Sequence, residues 1–124
     1  MMDGDKANSV ISIDLKKSRI RIYKSTLHQL NDPKYIQLLV NPTDRILAIR
    51  GDDSRCKESH EVCFSRLKPD ICYELYSKQL VRTLMTLIPG LEKNYTYRFT
   101  GNVLEAKRIA LFALDTYQRV EGGI

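Results

Sequence analysis

An order of segments that occurs twice constrains this chain more than any other feature. The first copy, Arg19 to Arg50, is a candidate strand, then a serine, a short helix, a proline, a strand, a turn and a strand. The second copy, Ile71 to Asp115, has the same order, with Ser77 where the first has Ser25. Such an order is typical of an internal duplication. The 124 residues are close to the usual size of one domain, so we expect a single α+β domain made of two β-α-β-β halves.

A polar stretch marks the expected boundary between the halves. Residues 51–60 are rich in charged and small side chains and are interpreted as a linker loop. The first half then covers residues 9–50, the second half covers residues 61–119, and residues 120–124 form a flexible tail. We expect the strands of both halves to form one compact barrel or mixed sheet.

Apolar residues at every second position predict a hairpin near the start of the chain. Ile11 and Ile13 share one face of a first strand, and Ile20 and Ile22 share one face of a second. The residues between the two strands, 16–18, are polar and predict the turn. This alternation is typical of strands with one face buried and one face in water.

Helix ends and turns can be predicted from a few residues. Ser25 and Ser77 are interpreted as N-caps, the first of a short helix and the second of the clearest helix in the chain. Pro89-Gly90 is expected to end that longer helix. Gly101-Asn102 predicts a turn within the second half.

The positive charge of the chain is concentrated. The net charge is +5, and residues 16–24 contain five basic residues and no acid. Such a patch favours an anionic partner, with phosphate contacts as the functional interpretation. The alternative is the solvated face of a strand, or charges that protect a sheet edge from aggregation. The predicted phosphate contacts are Lys16, Lys17, Arg19, Arg21 and Lys24. Lys78 and Arg82, on the exposed side of the second helix, are their counterparts in the second half.

The first half resembles the swapped-hairpin DNA-binding domains of the AbrB and MazE type. The similar features are the basic strand Arg19-Ile20-Arg21-Ile22, a short helix with Leu27 and Leu30, and a hairpin after it. In that class two β-α-β-β units form one intertwined barrel, and tandem forms such as the MraZ proteins carry both units in one chain. The resemblance implies a non-enzymatic transcriptional regulator that binds DNA.

The chain departs from this family's pattern at three places. Tyr23 stands where the family usually has a proline, and His28 and Gln29 stand where it has arginines. Residues 31–33 replace the glycine that usually ends the helix. The alternative is therefore a protein-interaction or assembly module that keeps the fold without binding DNA. A homodimer through the aromatic stripe of Tyr95, Tyr97 and Phe99 would fit it. Large rings at every second position are usually core or interface, and stacking of nucleobases on that stripe is a further interpretation.

Other function classes receive little support from the residues. Cys56, His60, Cys63 and Cys72 could supply four ligands for zinc, but they lack a C-x2-C pair and are interpreted as free thiols. No phosphate-binding loop, dinucleotide-binding or hydrolase motif is present. We therefore expect no enzyme activity, no metal, no cofactor and no small-molecule substrate. The polar start of the chain and the lack of a long apolar run predict a cytoplasmic protein without membrane contact.

Overall fold

The computed structural model describes residues 7–62 and 72–120. In these ranges the chain is an α+β domain with two helices and nine strands. The helices are α1 (Lys24–Gln29) and α2 (Lys78–Leu87). The strands are β1 (Ala7–Asp14), β2 (Arg19–Tyr23), β3 (Tyr35–Asn41), β4 (Ile46–Asp52), β5 (His60–Glu61), β6 (Cys72–Tyr76), β7 (Thr96–Leu104), β8 (Ile109–Ala113) and β9 (Gln118–Arg119).

The strands form one antiparallel sheet that curls into a half-barrel. The strand order is β5-β3-β4-β8-β7-β1-β2-β6, and β9 pairs with β7 beside this path. The first and last strands of the path, β5 and β6, are linked by a side chain. The Tyr73 hydroxyl donates a hydrogen bond of 2.9 Å to the carbonyl oxygen of Glu61. The sheet therefore has a concave face that encloses the core and an outer face that is exposed.

Alternation along the strands assigns residues to these two faces. Ile11 and Ile13 of β1 and Ile20 and Ile22 of β2 have no exposed surface. The residues between them, including Arg21, lie on the outer face. The predicted hairpin is confirmed, with Ile11 opposite Ile22 and Ile13 opposite Ile20.

The predicted turn at Gly101-Asn102 is wrong, because both residues lie inside β7. Gly101 is buried and pairs with Ser9 on one side and with Phe112 on the other. A Cβ atom at this position would lie 2.0 Å from the carbonyl oxygen of Leu111. The glycine therefore permits a close approach of β7 and β8, and the reversal comes later, in a 3-10 turn over Glu105–Lys107.

The two predicted serine caps have different outcomes. Ser77 is confirmed as the N-cap of α2, where its Oγ accepts a hydrogen bond of 3.1 Å from the backbone N–H of Leu80. Ser25 is not a cap, since α1 begins at Lys24 and its N-cap, Tyr23, makes no side-chain capping bond. Ser25 instead lies within the helix with its side chain exposed.

This difference between the serines can be measured. We expect Ser77→Ala to lower the free energy of unfolding by about 1 kcal/mol, because one backbone N–H of the first turn loses its partner. Ser25→Ala is the matched control and should change stability by less than about 0.5 kcal/mol. Urea denaturation measures both. Equal stabilities of the two variants would contradict the assignment of Ser77 as the cap.

Two predicted boundaries lie close to those found. β4 continues through Gly51 and Asp52, so the predicted linker 51–60 begins inside a strand. The second half was expected to begin at residue 61, whereas β5 begins one residue earlier at His60, and residues 63–71 lie outside the described part of the chain.

Candidate nucleic-acid interface

The two arginines of β2 lie on the outer face, as the alternation predicts, but both are already in ion pairs. Nη2 of Arg19 lies 3.4 Å from Oδ2 of Asp14. Nε of Arg21 donates a hydrogen bond of 2.7 Å to Oε2 of Glu74, which raises the pKa of Arg21. These two cations therefore have partly neutralised charges and are weaker candidates for phosphate contacts than an unpaired cation would be.

Four of the other predicted cations flank a backbone hydrogen bond that joins two distant parts of the sequence at one end of β2. Lys16 and Lys17 are exposed in the turn between β1 and β2. The backbone N–H of Ser77 donates a hydrogen bond of 3.0 Å to the carbonyl oxygen of Ser18 in this turn. Helix α2, whose N-cap is Ser77, therefore begins next to the turn. We call this group the basic end; it consists of Lys16, Lys17, Lys78 and Arg82.

The helix α2 presents its two cations to water. Lys78 and Arg82 are exposed and four residues apart, so they lie on the same face of the helix. Leu80, Val81 and Leu84 form the opposite face and are buried in the core. The prediction that Lys78 and Arg82 lie on the exposed side of this helix is confirmed.

The next feature of the basic end is the pairing of its charges among the described residues. Within residues 7–62 and 72–120, none of the four makes an ion pair. The carboxylate closest in sequence, Asp14, pairs with Arg19 and also accepts a hydrogen bond of 3.1 Å from the backbone N–H of Lys17. Four exposed positive charges at one end of the sheet are suited to phosphate groups on a repeating backbone.

Lys24 does not belong to this group. It follows β2 at the end of the strand where Tyr23 pairs with Cys72, whereas the turn with Lys16 and Lys17 precedes the other end. A five-residue strand spans roughly 13 Å between its first and last Cα atoms. Lys24 therefore lies about the length of β2 away from Lys16 and Lys17, and the predicted basic residues do not form one continuous row.

The aromatic stripe is not the surface that the sequence suggested. Tyr97 is 3% exposed and Phe99 has no exposed surface, so both belong to the core. Tyr95 lies before β7 and is 42% exposed, with the guanidinium carbon of Arg119 lying 4.4 Å from the centre of its ring. The interpretation of this stripe as a nucleobase platform or a homodimer surface is therefore wrong, because large residues at alternate positions of β7 face the concave side.

The described residues do not support the zinc interpretation. They contain no group of three or more histidine, cysteine, aspartate or glutamate side chains that could hold a metal ion. Cys63 lies outside the described residues, while Cys56 and Cys72 are free thiols. Burial raises the pKa of the Cys72 thiol, which disfavours the thiolate that zinc requires.

An arginine just before β8 that the sequence did not single out links the end of α1 to the residue that follows β4. Arg108 donates hydrogen bonds of 3.1 and 3.0 Å to the two carboxylate oxygens of Asp53 and one of 3.0 Å to the carbonyl oxygen of Leu30. The guanidinium holds the pKa of the Asp53 carboxyl below its ordinary value. This bidentate geometry indicates a structural role, and no local pattern around residue 108 predicts partners so distant in sequence.

Comparisons with family models, with curated proteins and with solved structures find no match to this chain. None of the helices in the described ranges is long and apolar enough to cross a membrane.

Proposed function

We propose that the chain is built from two β-α-β-β halves related by an approximate two-fold axis, in the manner of a tandem swapped-hairpin domain. The register of β2 against β6 supports this proposal. Ile20 pairs with Leu75, Ile22 pairs with Tyr73, and Arg21 faces Glu74 at the centre. If Ile20 corresponds to Tyr73 and Ile22 to Leu75, a two-fold rotation about the central pair exchanges the two strands.

A second pairing has the same symmetry. In the pairing of β4 with β8, Leu47 lies opposite Phe112, Ile49 lies opposite Ala110, and Ala48 faces Leu111 at the centre. Corresponding strands of two related units are expected to meet in this antiparallel way around an axis.

The connections of the first strands also support two intertwined halves. β1 precedes the β-α-β-β unit of the first half, which begins at β2, and pairs along its whole length with β7 of the second half. β5 precedes the unit of the second half, which begins at β6, and pairs with β3 of the first. Each preceding strand therefore adds to the second strand of the other half's unit, which is the exchange that the swapped-hairpin resemblance implies.

For the function, we propose that the chain is a non-enzymatic, cytoplasmic DNA-binding regulator that contacts phosphates through the basic end. The observation that carries the proposal is the hydrogen bond from Ser77 to Ser18, which brings α2 of the second half beside the β1–β2 turn of the first. Cations from both halves then contact phosphates of the same DNA duplex. Together they supply affinity that depends on salt and not on base sequence.

The alternative is a protein-interaction or assembly module that binds no DNA. A homodimer is one form of such a module. The ion pairs of Arg19 and Arg21 favour this alternative, because they use charges that a DNA surface would present to phosphates. Tyr76 of β6, which is 61% exposed, is an aromatic side chain that such an interface could cover.

Fluorescence anisotropy of a random-sequence duplex across a series of salt concentrations separates these two functions. If all four cations of the basic end contact phosphates, log K should fall against log salt with a slope of about −3.6. A variant with Lys16, Lys17, Lys78 and Arg82 all changed to glutamine should lose most of the affinity and most of the slope.

The control variant removes the same amount of charge elsewhere. It changes four exposed cations of the described residues that lie outside the basic end to glutamine, namely Lys34, Arg55, Lys57 and Lys107. We expect this control to keep the wild-type slope. Equal losses in both variants would mean that net charge alone drives binding, and no binding of the wild type at low salt would refute the DNA proposal and favour the interaction module.

A further inference from the structure

The outer face of the sheet contains a second group of cations, none of which belongs to the basic end. In the pairing of β1 with its two neighbours, Ser12 lies opposite Arg21 of β2 and also opposite Arg98 of β7. All three side chains face outward, since the residues on either side of each are in the core. Neighbouring strands are about 4.8 Å apart, so the two arginines extend from backbones roughly 10 Å apart, with a serine hydroxyl between them.

These side chains line a small polar groove. Its volume is about 160 Å³, and Arg19, Tyr23 and Asp14 lie along it with the serine and the two arginines. The Tyr23 hydroxyl lies 3.1 Å from Oγ of Ser12, so two hydroxyl groups in the lining of the groove are within hydrogen-bond distance of each other. Asp14 lies in the groove and Glu74 pairs with Arg21 beside it, so the three arginines leave a net excess of one positive charge.

Two of the arginines have donors that the described residues do not use. The Nε atom of Arg19 is buried and has no hydrogen-bond partner there, although buried donors are normally paired. The contact of Arg19 with Asp14, at 3.4 Å, is longer than an ordinary charge-assisted hydrogen bond. Arg98 is exposed and makes no ion pair with any residue in the described ranges.

We propose that this groove binds a phosphate group, either as inorganic phosphate or as a phosphate monoester. Guanidinium and hydroxyl donors reach it from three adjacent strands, β2, β1 and β7. A phosphate dianion offers at least three acceptor oxygens in a tetrahedral arrangement, whereas a carboxylate offers two in one plane. An anion there would give Arg98 a partner and would add a second acceptor beside Arg19.

The proposal is tested by thermal unfolding of the full chain with inorganic phosphate, and separately with phosphoserine, against sodium chloride at matched ionic strength. A ligand that binds only the folded state raises Tm, and the rise grows with the logarithm of the free ligand concentration once that concentration exceeds Kd. We expect phosphate, phosphoserine or both to raise Tm above the chloride control. Phosphoserine alone would identify a monoester site, whereas a larger effect of free phosphate would identify an inorganic ion site. No rise beyond chloride with either ligand would overturn the proposal.

Two variants make the test specific to the groove. Arg98→Gln, at an exposed position, should weaken phosphate binding at least tenfold while leaving Tm in chloride nearly unchanged. Arg50→Gln is the control, because Arg50 is an exposed arginine of β4 that already pairs with Asp52. Equal weakening by both variants would show that the phosphate response is non-specific and would overturn the site.

The same variants distinguish this site from the basic end. Since Arg98 does not belong to the basic end, Arg98→Gln should bind duplex DNA with the wild-type salt slope. If Arg98→Gln instead lost duplex binding together with the phosphate response, the groove would be part of one polyanion surface, and a separate site would be refuted. If the wild type binds no DNA, the DNA proposal is refuted, and the rise of Tm with phosphate still tests the groove independently.

Discussion

Gly101→Ala is expected to destabilise the domain by at least about 3 kcal/mol, a large part of the 5–15 kcal/mol that stabilises a typical domain. The added Cβ would lie 2.0 Å from the carbonyl oxygen and 2.8 Å from the carbonyl carbon of Leu111. Backbone atoms cannot turn aside as the end of a side chain can. β7 and β8 would have to separate at the point where Gly101 faces Phe112.

Urea denaturation followed by circular dichroism measures this loss, and the adjacent residue supplies a control. Asn102 lies on the same strand but is exposed, so Asn102→Ala should change the free energy of unfolding by less than about 0.5 kcal/mol. If Gly101→Ala were as stable as Asn102→Ala, the close pairing of β7 with β8 would be wrong.

Phe112→Ala is expected to have a similarly large effect, with a loss of about 3–5 kcal/mol. Phe112 has no exposed surface and lies opposite Leu47 in the pairing of β8 with β4. Its ring therefore packs where the proposed halves meet. Truncation removes the ring's favourable burial and leaves a cavity that the rigid strands around it can fill only in part.

Leu104→Ala is the control for this second prediction, because Leu104 at the end of β7 is 37% exposed. The free energies of unfolding of both variants can be compared by urea denaturation. A loss below about 1 kcal/mol for Phe112→Ala would mean that the seam between β4 and β8 contributes little to stability.

The parts of the fold that depend on neighbouring residues were predictable from the sequence. The hairpin of β1 and β2 and the exposed face of α2 follow from apolar spacing within a few residues of each other. The Ser77 cap follows from a serine placed just before such a run. These features need no knowledge of the rest of the chain.

Features that depend on distant pairing were not predictable in this way. Gly101 resembled a turn residue because no local pattern reveals that Leu111 lies against it. Tyr97 and Phe99 showed the period of a strand, but alternation does not say which face lies inside. The strand's place in the middle of the sheet, between β1 and β8, decides that they are buried.

In the candidate site, too, local features were predictable and contacts between distant residues were not. That Lys16 and Lys17 lie in an exposed turn was predictable, and so was the exposure of Lys78. The pairing of Arg21 with Glu74 was not, because these residues come from strands far apart in the sequence. The hydrogen bond between Ser77 and Ser18, which makes one group of the four cations, is equally distant.

A titration of the isotopically labelled protein with a short duplex tests whether cations of both halves form one DNA surface. Amide chemical shifts report which parts of the backbone the duplex contacts. If the basic end binds DNA as proposed, the largest changes occur together in residues 16–18 and 77–82, and they disappear at high salt. Changes confined to one of these two segments, or absent from both, would contradict it.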